Sequence, residues 1–233
     1  MKQICIIIPV LNEEKNIFNI YKKIKKTKIP TDILFIEDNS LDKTREHILN
    51  LSKKDKNIKY IFRKNKSGIG SAHKDAIKWC YKKKYKTIIS MDADGTHNPR
   101  YLKKLIFNSK NSDMVITSRF KNLKSLADWP IHRRLLTYIR YWITKLILSI
   151  DYDSSGAYRC FARKRIKLND LTKTNSNTYD YFFESIYILH KKNYKIKEIS
   201  INLPYRKLGK SKMTFLHILK SLITILQLRY KNY

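Results

Sequence analysis

Short apolar runs recur along the first half of the chain. Each is followed by a polar turn, and the gaps between runs are long enough for helices. The runs are Ile4 to Ile8, Ile33 to Ile36, Ile58 to Phe62, Thr87 to Met91 and Asp113 to Thr117. Continuous runs of this length are typical of strands covered on both faces, and their alternation with helices predicts a doubly wound, mostly parallel α/β sheet. The first run ends at Pro9. Asn12 can then cap a helix in which Ile17, Ile20, Tyr21 and Ile24 recur at helical spacing. Ser40 or Asp42 is placed to cap a second helix, and Gly68 and Gly70 open a third running to about Lys84. A length of 233 residues with 42% hydrophobic content suffices for one such core. With no repeat and no Pro/Gly/Ser-rich linker, residues 1–233 are read as a single domain.

The fourth run leads into Met91-Asp92-Ala93-Asp94-Gly95. Residues two apart on a strand point to the same side, so Asp92 and Asp94 converge where the strand ends. Ligands in open α/β sheets bind outside the carboxyl ends of strands. Two carboxylates there suit a hard divalent cation, which often pairs them with substrate phosphates. For an isolated acidic pair, a solvated turn is the competing reading.

Fifty Lys and Arg against nineteen Asp and Glu leave a net charge of +31. Such a balance implies an anionic partner: nucleic acid, an acidic membrane surface or phosphorylated substrates. Much of it is scattered lysine, which a lysine-rich proteome would also produce. Cys5, Cys80 and Cys160 show neither metal spacing nor an even disulfide framework, and read as reduced, buried thiols of the cytoplasm. The chain enters a strand at once, so no cleaved leader is expected. No apolar run reaches the roughly 20 residues of a membrane span.

After residue 120 the pattern changes. Residues 130–150 form an amphipathic helix candidate with Ile131, Leu135, Ile139, Trp142, Ile143, Leu146 and Ile150 near one face, and Arg133, Arg134, Arg140, Tyr141 and Lys145 elsewhere. Residues 214–230 form a second, with Phe215, Leu219, Leu222, Ile223 and Leu226 beside Lys220 and Arg229. Both have the composition of membrane-interface helices; the alternative is that both simply cover the sheet. Gly68-Ile69-Gly70-Ser71 lacks the third glycine of a dinucleotide fingerprint and reads as a tight helix entry. Ser71, His73 and Asp75 are close in sequence, but a hydrolytic triad is recognised by geometry. His97, beside the acidic pair, is expected to be solvated.

Five segments stand in a distinctive order: Pro9-Val10-Leu11-Asn12-Glu13, Glu37-Asp38-Asn39-Ser40, Asp92-Ala93-Asp94, Ser118-Arg119-Phe120, and Arg206-x-x-Gly209-x-Ser211-Lys212. This series resembles the family 2 glycosyltransferases of GT-A (Rossmann-like) fold, and within them the dolichyl-phosphate and polyprenyl-phosphate mannosyltransferases, over about residues 3–213. The segment from Asp151 to Arg159 is similar to the family's D-x-x-S-G-F/Y-R stretch, with Ala157 extra or displaced. Leu11 stands where an aromatic is common, Glu37 replaces the first Asp of the usual pair, and Thr96 stands where Gln or Ser often adds a metal ligand.

The resemblance implies roles for particular residues. Pro9, Leu11, Glu13, Ile36 and Asp38 would line the nucleobase and ribose pocket, with Asp92, Ala93 and Asp94 completing the donor site. Asp94 would bind Mg²⁺ or Mn²⁺ directly, Asp92 would hold the ribose or the metal's water shell, and Thr96 would stand beside them. Arg119, Arg206 and Lys212 would bind phosphate. Arg133, Arg134 and Ser155 would meet the acceptor phosphate. Catalysis would rest on Asp92, Asp94 and Arg119. The implied activity is inverting transfer of a sugar, foremost mannose from GDP-mannose, to dolichyl or another polyprenyl phosphate in glycan biosynthesis. The enzyme would sit peripherally at the cytoplasmic face of a membrane, on an anionic lipid surface, with a small membrane-anchoring protein as a further partner and no nucleic acid bound. A UDP-sugar donor (glucose or N-acetylglucosamine) is the nearer alternative. A non-enzymatic, basic nucleic-acid-binding protein is the distant one.

Overall fold

The apolar runs become the strands of one sheet in a computed structural model that describes residues 3–205 and 215–231. The chain runs β1 (Ile4–Val10), α1 (Glu14–Lys26), β2 (Asp32–Glu37), α2 (Thr44–Lys54), β3 (Ile58–Phe62), α3 (Ile69–Lys82), β4 (Thr87–Ser90), α4 (Leu102–Ser109) and β5 (Met114–Ser118). It continues through α5 (Ile131–Leu148), β6 (Arg159–Ala162), α6 (Leu168–Thr172), α7 (Tyr181–Lys191), β7 (Ile196–Ser200) and α8 (Phe215–Arg229). The strand order is β3-β2-β1-β4-β6-β5-β7. β6 is antiparallel to both its neighbours, and every other pairing is parallel.

The centre of the sheet is buried on both faces because β1 and residues Ile33 to Ile36 of β2 are apolar. Cys5, Ile7, Leu34 and Ile36 point into a cluster with α3, α6 and α7. Ile6, Ile8, Val10, Ile33 and Phe35 point the other way, against Ile17, Ile20 and Ile24 of α1 and Leu102 and Leu105 of α4. Each fully buried isoleucine contributes about 1.5–3 kcal/mol relative to exposure. β1 runs through Pro9 to Val10 instead of stopping at Pro9. The carbonyl of Ile7 faces β4 and that of Val10 faces β2, so the absent N–H of Pro9 falls on the β4 side. There β4 has already ended, since Ser90 pairs with Ile7, and no ladder bond is lost.

Asn12 does not cap α1. It lies at φ +50°, its N–H donates to Ser40 Oγ, and its Oδ1 accepts from Leu41 N–H. The helix ends are satisfied reciprocally instead. Asp42 accepts from the N–H of Glu14 at 3.1 Å and of Thr44 at 3.0 Å, and Glu14 accepts from Lys43 N–H at 3.1 Å. This ties the β1–α1 turn to the β2–α2 turn beside the crevice where β1 and β4 part. Gly68, at φ +93°, enters α3 where a Cβ would lie 2.5 Å from the Asn177 carbonyl oxygen.

α5 corresponds to the helix expected over residues 130–150, but its C-cap is Ser149 in the left-handed region, and Ile150 turns into the core. The apolar stripe of α5 faces outward: Ile131, Leu135, Leu136, Ile139, Trp142 and Leu146 are all exposed, Leu146 at 83%. On α8, Ser221, Ile225 and Leu228 are buried, whereas Ile223 and Leu226 are exposed. No helix among the described residues is long and apolar enough to cross a membrane.

Candidate active site

β1 leaves its end towards α1 and β2 on one side, while β4 flanks its other side, so a crevice opens at their carboxyl ends. The loop after β4 carries both carboxylates there. Asp94 Oδ1 accepts from Thr96 N–H at 3.0 Å and from Thr96 Oγ at 2.7 Å, and Gly95 at φ +84° makes the turn. Thr96 therefore stands at Asp94, and in this arrangement its hydroxyl donates to the carboxylate. The donors on the loop are hard oxygens on partly exposed side chains, which suits a divalent cation. No group of three or more His, Cys, Asp or Glu that could hold a metal occurs among the described residues.

His97 is a correction: it is buried, not solvated. Its ring stacks on Tyr158 at 5.0 Å, and its Nδ1 accepts the Asp92 N–H at 2.9 Å. Nδ1 also lies 3.7 Å from Asp92 Oδ2. An atom accepting from an amide carries no proton, so that approach is not an ion pair, and the neutral imidazole holds the Asp92 backbone in place.

Where β1 and β2 end, Glu13 is buried, with Asn16 donating to its Oε2 at 2.6 Å and Thr44 Oγ receiving its N–H. Pro9 and Ile36 are opposed residues of β1 and β2, and Leu11 follows β1 directly. Asp38 is nearly buried, and its carboxylate accepts from Arg63 at 2.8 Å and from the N–H groups of Ser67 and Gly68 at 3.1 Å. Glu37 is fully buried and takes both Nε and Nη2 of Arg45. Arg63, which no motif singled out, joins Asp38 to Ser71 and lies 3.4 Å from Asp75. Ser71, His73 and Asp75 form no triad. His73 is buried between the rings of Tyr181 and Phe182 while Ser71 and Asp75 face Arg63.

Arg119, at the end of β5, is almost buried and bound by Asp153. Its N–H and Nε reach Asp153 Oδ2 at 3.1 and 2.8 Å, Nη2 reaches Oδ1 at 3.0 Å, and Nη2 also donates to Ser155 Oγ at 2.6 Å. Burial opposes both charges. The Arg119 guanidinium nevertheless stays above its ordinary pKa through the charge and hydrogen bonds of Asp153 and the charge of Asp92. Asp153 is likewise held below the carboxylate range by Arg119. The Asp153 N–H is in turn received by Glu198 at 2.6 Å. Asp153 lies inside the quoted segment, but sequence spacing does not show that it orients Arg119 from 34 residues away.

Arg159 fixes the remainder of that loop, donating to the carbonyls of Gly156, Ser154 and Phe182 and to Ser185 Oγ at 2.6–2.8 Å. Arg133 is exposed and lies over the Tyr205 ring at 5.6 Å; Arg134 is half-buried. Arg206 and Lys212 lie outside the described residues. A cavity of about 610 Å³ borders this end of the sheet between Phe120, Lys121, Tyr141, Tyr152 and Glu198, but neither Asp92 nor Asp94 lines it.

Comparison with known proteins agrees with this architecture. The family model for glycosyl transferase family 2 matches residues 5–172. The chain is 25% identical to the undecaprenyl-phosphate mannosyltransferase of Micrococcus luteus over 89% of this chain and 86% of that protein. It is 26% identical to the polyprenol monophosphomannose synthase of Mycolicibacterium smegmatis over 94% of this chain and 84% of that one. Among solved structures, the mannosyltransferase of Pyrobaculum calidifontis in complex with GDP-Man and Mn²⁺ superposes with a TM-score of 0.53 at 14% identity, covering 97% of this chain and 72% of that one. A strand order that puts two carboxylates at the β1–β4 crevice, together with a family match across most of the chain, makes this protein a glycosyltransferase of family 2, with a GT-A fold.

Proposed function

We propose that this glycosyltransferase moves mannose from GDP-mannose to a polyprenyl phosphate, with inversion at the anomeric carbon. The observation that carries the reading is the position of Arg119. It is held rigidly by Asp153, within electrostatic reach of Asp92 on one side and bonded on the other to Ser155, which α5 also contacts. A guanidinium of a kind suited to phosphate thus lies between the carboxylate loop and a helix with an exposed apolar face. The names of the two relatives support the same donor sugar and acceptor class.

Pro9, Leu11, Glu13, Ile36 and Asp38 would line the nucleoside pocket with Ala93, and Arg206 and Lys212 would hold donor phosphate. Asp94, with Asp92 and Thr96 beside it, would hold a divalent cation, Mn²⁺ or Mg²⁺. Bound there, the cation would neutralise the departing diphosphate. An oxygen of the acceptor phosphate attacks the anomeric carbon as the bond to the GDP β-phosphate breaks, and GDP leaves with the electron pair. The acceptor is already an anion at neutral pH, so no protein base is required. Catalysis is positioning and charge stabilisation. Backside displacement inverts the centre.

The lipid acceptor requires contact with a bilayer. The outward apolar stripe of α5, flanked by Arg133, Arg134 and Lys145, would lie in an anionic membrane surface at the cytoplasmic face, and a small anchoring protein would add to this contact. The test is transfer of labelled mannose from GDP-mannose to a short polyprenyl phosphate, with Mn²⁺ and with EDTA. Metal-dependent label in the lipid phase is expected. Label only from a UDP-sugar would overturn the donor, and no transfer from any nucleotide sugar would overturn the reading.

A further inference from the structure

Residues 201–205 join the end of β7 to Arg206, and the segment around and after Arg119 binds them through a run of hydrogen bonds. The N–H of Ile201 donates to the Ser118 carbonyl at 3.1 Å, continuing the β5–β7 ladder. Ser125 Oγ donates to the Ile201 carbonyl at 2.7 Å, and Leu203 N–H donates to the Ser125 carbonyl at 3.1 Å. Asn122 Nδ2 reaches Asn202 Oδ1 at 2.8 Å, and the Asn202 N–H donates to the hydroxyl of Tyr101, which follows the carboxylate loop, at 2.9 Å. Trp129 makes the last of these bonds: its indole N–H donates to the Leu203 carbonyl at 2.9 Å. Its ring packs with Leu126, Ile201 and Leu203 and meets Tyr205 edge-on at 5.9 Å. Trp129 is itself held, since its N–H donates to the Leu126 carbonyl at 3.1 Å. Both Trp129 and Leu203 precede prolines, Pro130 and Pro204. Proline fixes its own φ and restricts the residue before it. The position of the Leu203 carbonyl is therefore passed on stiffly through Pro204 to Tyr205, to which Arg206 is joined.

We infer that Trp129 is a positioning residue of the donor site, setting through Leu203 and Pro204 the place from which the chain presents Arg206 to the donor diphosphate. The inference rests on the proposed role of Arg206 as a donor-phosphate cation. A guanidinium binds phosphate through a planar fork of donors, so its contribution depends on direction as well as charge. A small displacement of such a group weakens what it holds. Packing alone would be served by any large ring at position 129. The indole N–H adds a bond to one particular carbonyl, 74 residues away in the chain. That bond is only part-buried. Water can take the place of the N–H at little cost to folding, and what is lost is the fixed course of the chain.

The test is a double-mutant cycle on the full chain, read by calorimetric binding of GDP, with UDP in parallel, in the presence of Mn²⁺. Arg206→Met is expected to weaken binding of the nucleoside diphosphate about tenfold or more. Trp129→Phe keeps a ring and loses the N–H. It is expected to weaken binding about fivefold in the wild-type background, with an unchanged urea midpoint, and to have no further effect in the Arg206→Met background. Trp129→Phe binding like wild type overturns the inference. An equal loss in both backgrounds also overturns it, since Trp129 would then act through general packing and not through Arg206. Arg206→Met binding like wild type, or binding of neither nucleotide by the wild-type protein, overturns the donor-site reading itself, and the positioning role falls with it.

Discussion

At the residue scale the site depends on a few side chains whose partners are fixed by hydrogen bonds. Asp94 is partly exposed on a turn closed by Thr96 and Gly95, so its loss costs the fold little. Asp94→Asn is expected to reduce sugar transfer on the order of 100-fold or more, with an unchanged melting temperature. Transfer at the wild-type rate would disprove the metal role. His73 has a different part. It is fully buried between Tyr181 and Phe182, and burial, with the charge of Arg159, pushes its pKa down to about 3. The unfolded chain takes up a proton near pH 6.5 that the folded chain refuses, so this residue removes stability as pH falls below that value. The loss is about 2 kcal/mol between pH 7 and pH 5. Urea titrations at the two pH values should show a smaller difference in His73→Phe than in wild type; an equal difference would contradict the assignment. Of these residues, Asp92 and Asp94 were legible in sequence as an acidic pair just past a strand end; β4 ends at Ser90, so the loop rather than strand alternation positions them. His97 was not, because its burial depends on Tyr158, which a different part of the chain supplies.

At the element scale, most of the strands that could be read are those buried on both faces, where a run of Ile, Val and Leu has one interpretation; the edge strand β3 was read from its position in the alternation of strands and helices. β6 and β7 escaped this reading. β6 is four residues long and pairs antiparallel between β4 and β5, and β7 reads Ile-Lys-Glu-Ile-Ser, with its lysine exposed. α7 escaped for the opposite reason: residues 181–189 are all buried, so no polar face marks a helical period. α5 was visible as an amphipathic helix, but periodicity does not say whether the apolar stripe faces core or surroundings. The structure turns it outward. Trp142→Glu combined with Leu146→Glu should abolish flotation with anionic vesicles. Both side chains are exposed, at 59% and 83%, so stability should stay within about 0.5 kcal/mol. Flotation unaffected by the double change would remove α5 from the membrane contact.

At the scale of the whole molecule, the net charge of +31 acts through distance and ionic strength. Raising salt from about 0.1 M to 1 M shortens the screening length from about 10 Å to about 3 Å. Vesicle binding should therefore fall steeply across that range if the scattered lysines contribute. Salt-independent co-sedimentation would assign attachment to the apolar stripe alone. The sequence by itself determined the alternating α/β architecture and the two carboxylates at the carboxyl end of β4, whereas the strand order that sets β4 beside β1 came from the structure. What the sequence determined follows from local periodicity and from the rule that strand ends carry ligands. Only the tertiary structure decided that Asp153 grips Arg119, that Arg140 rather than Arg133 reaches Ser155, and that His97 is buried. Those contacts join residues that are 34 and 15 apart, or depend on a ring 61 positions away. No periodicity links such positions; they meet because β6 inserts antiparallel between β4 and β5 and brings the loop before it back to the site.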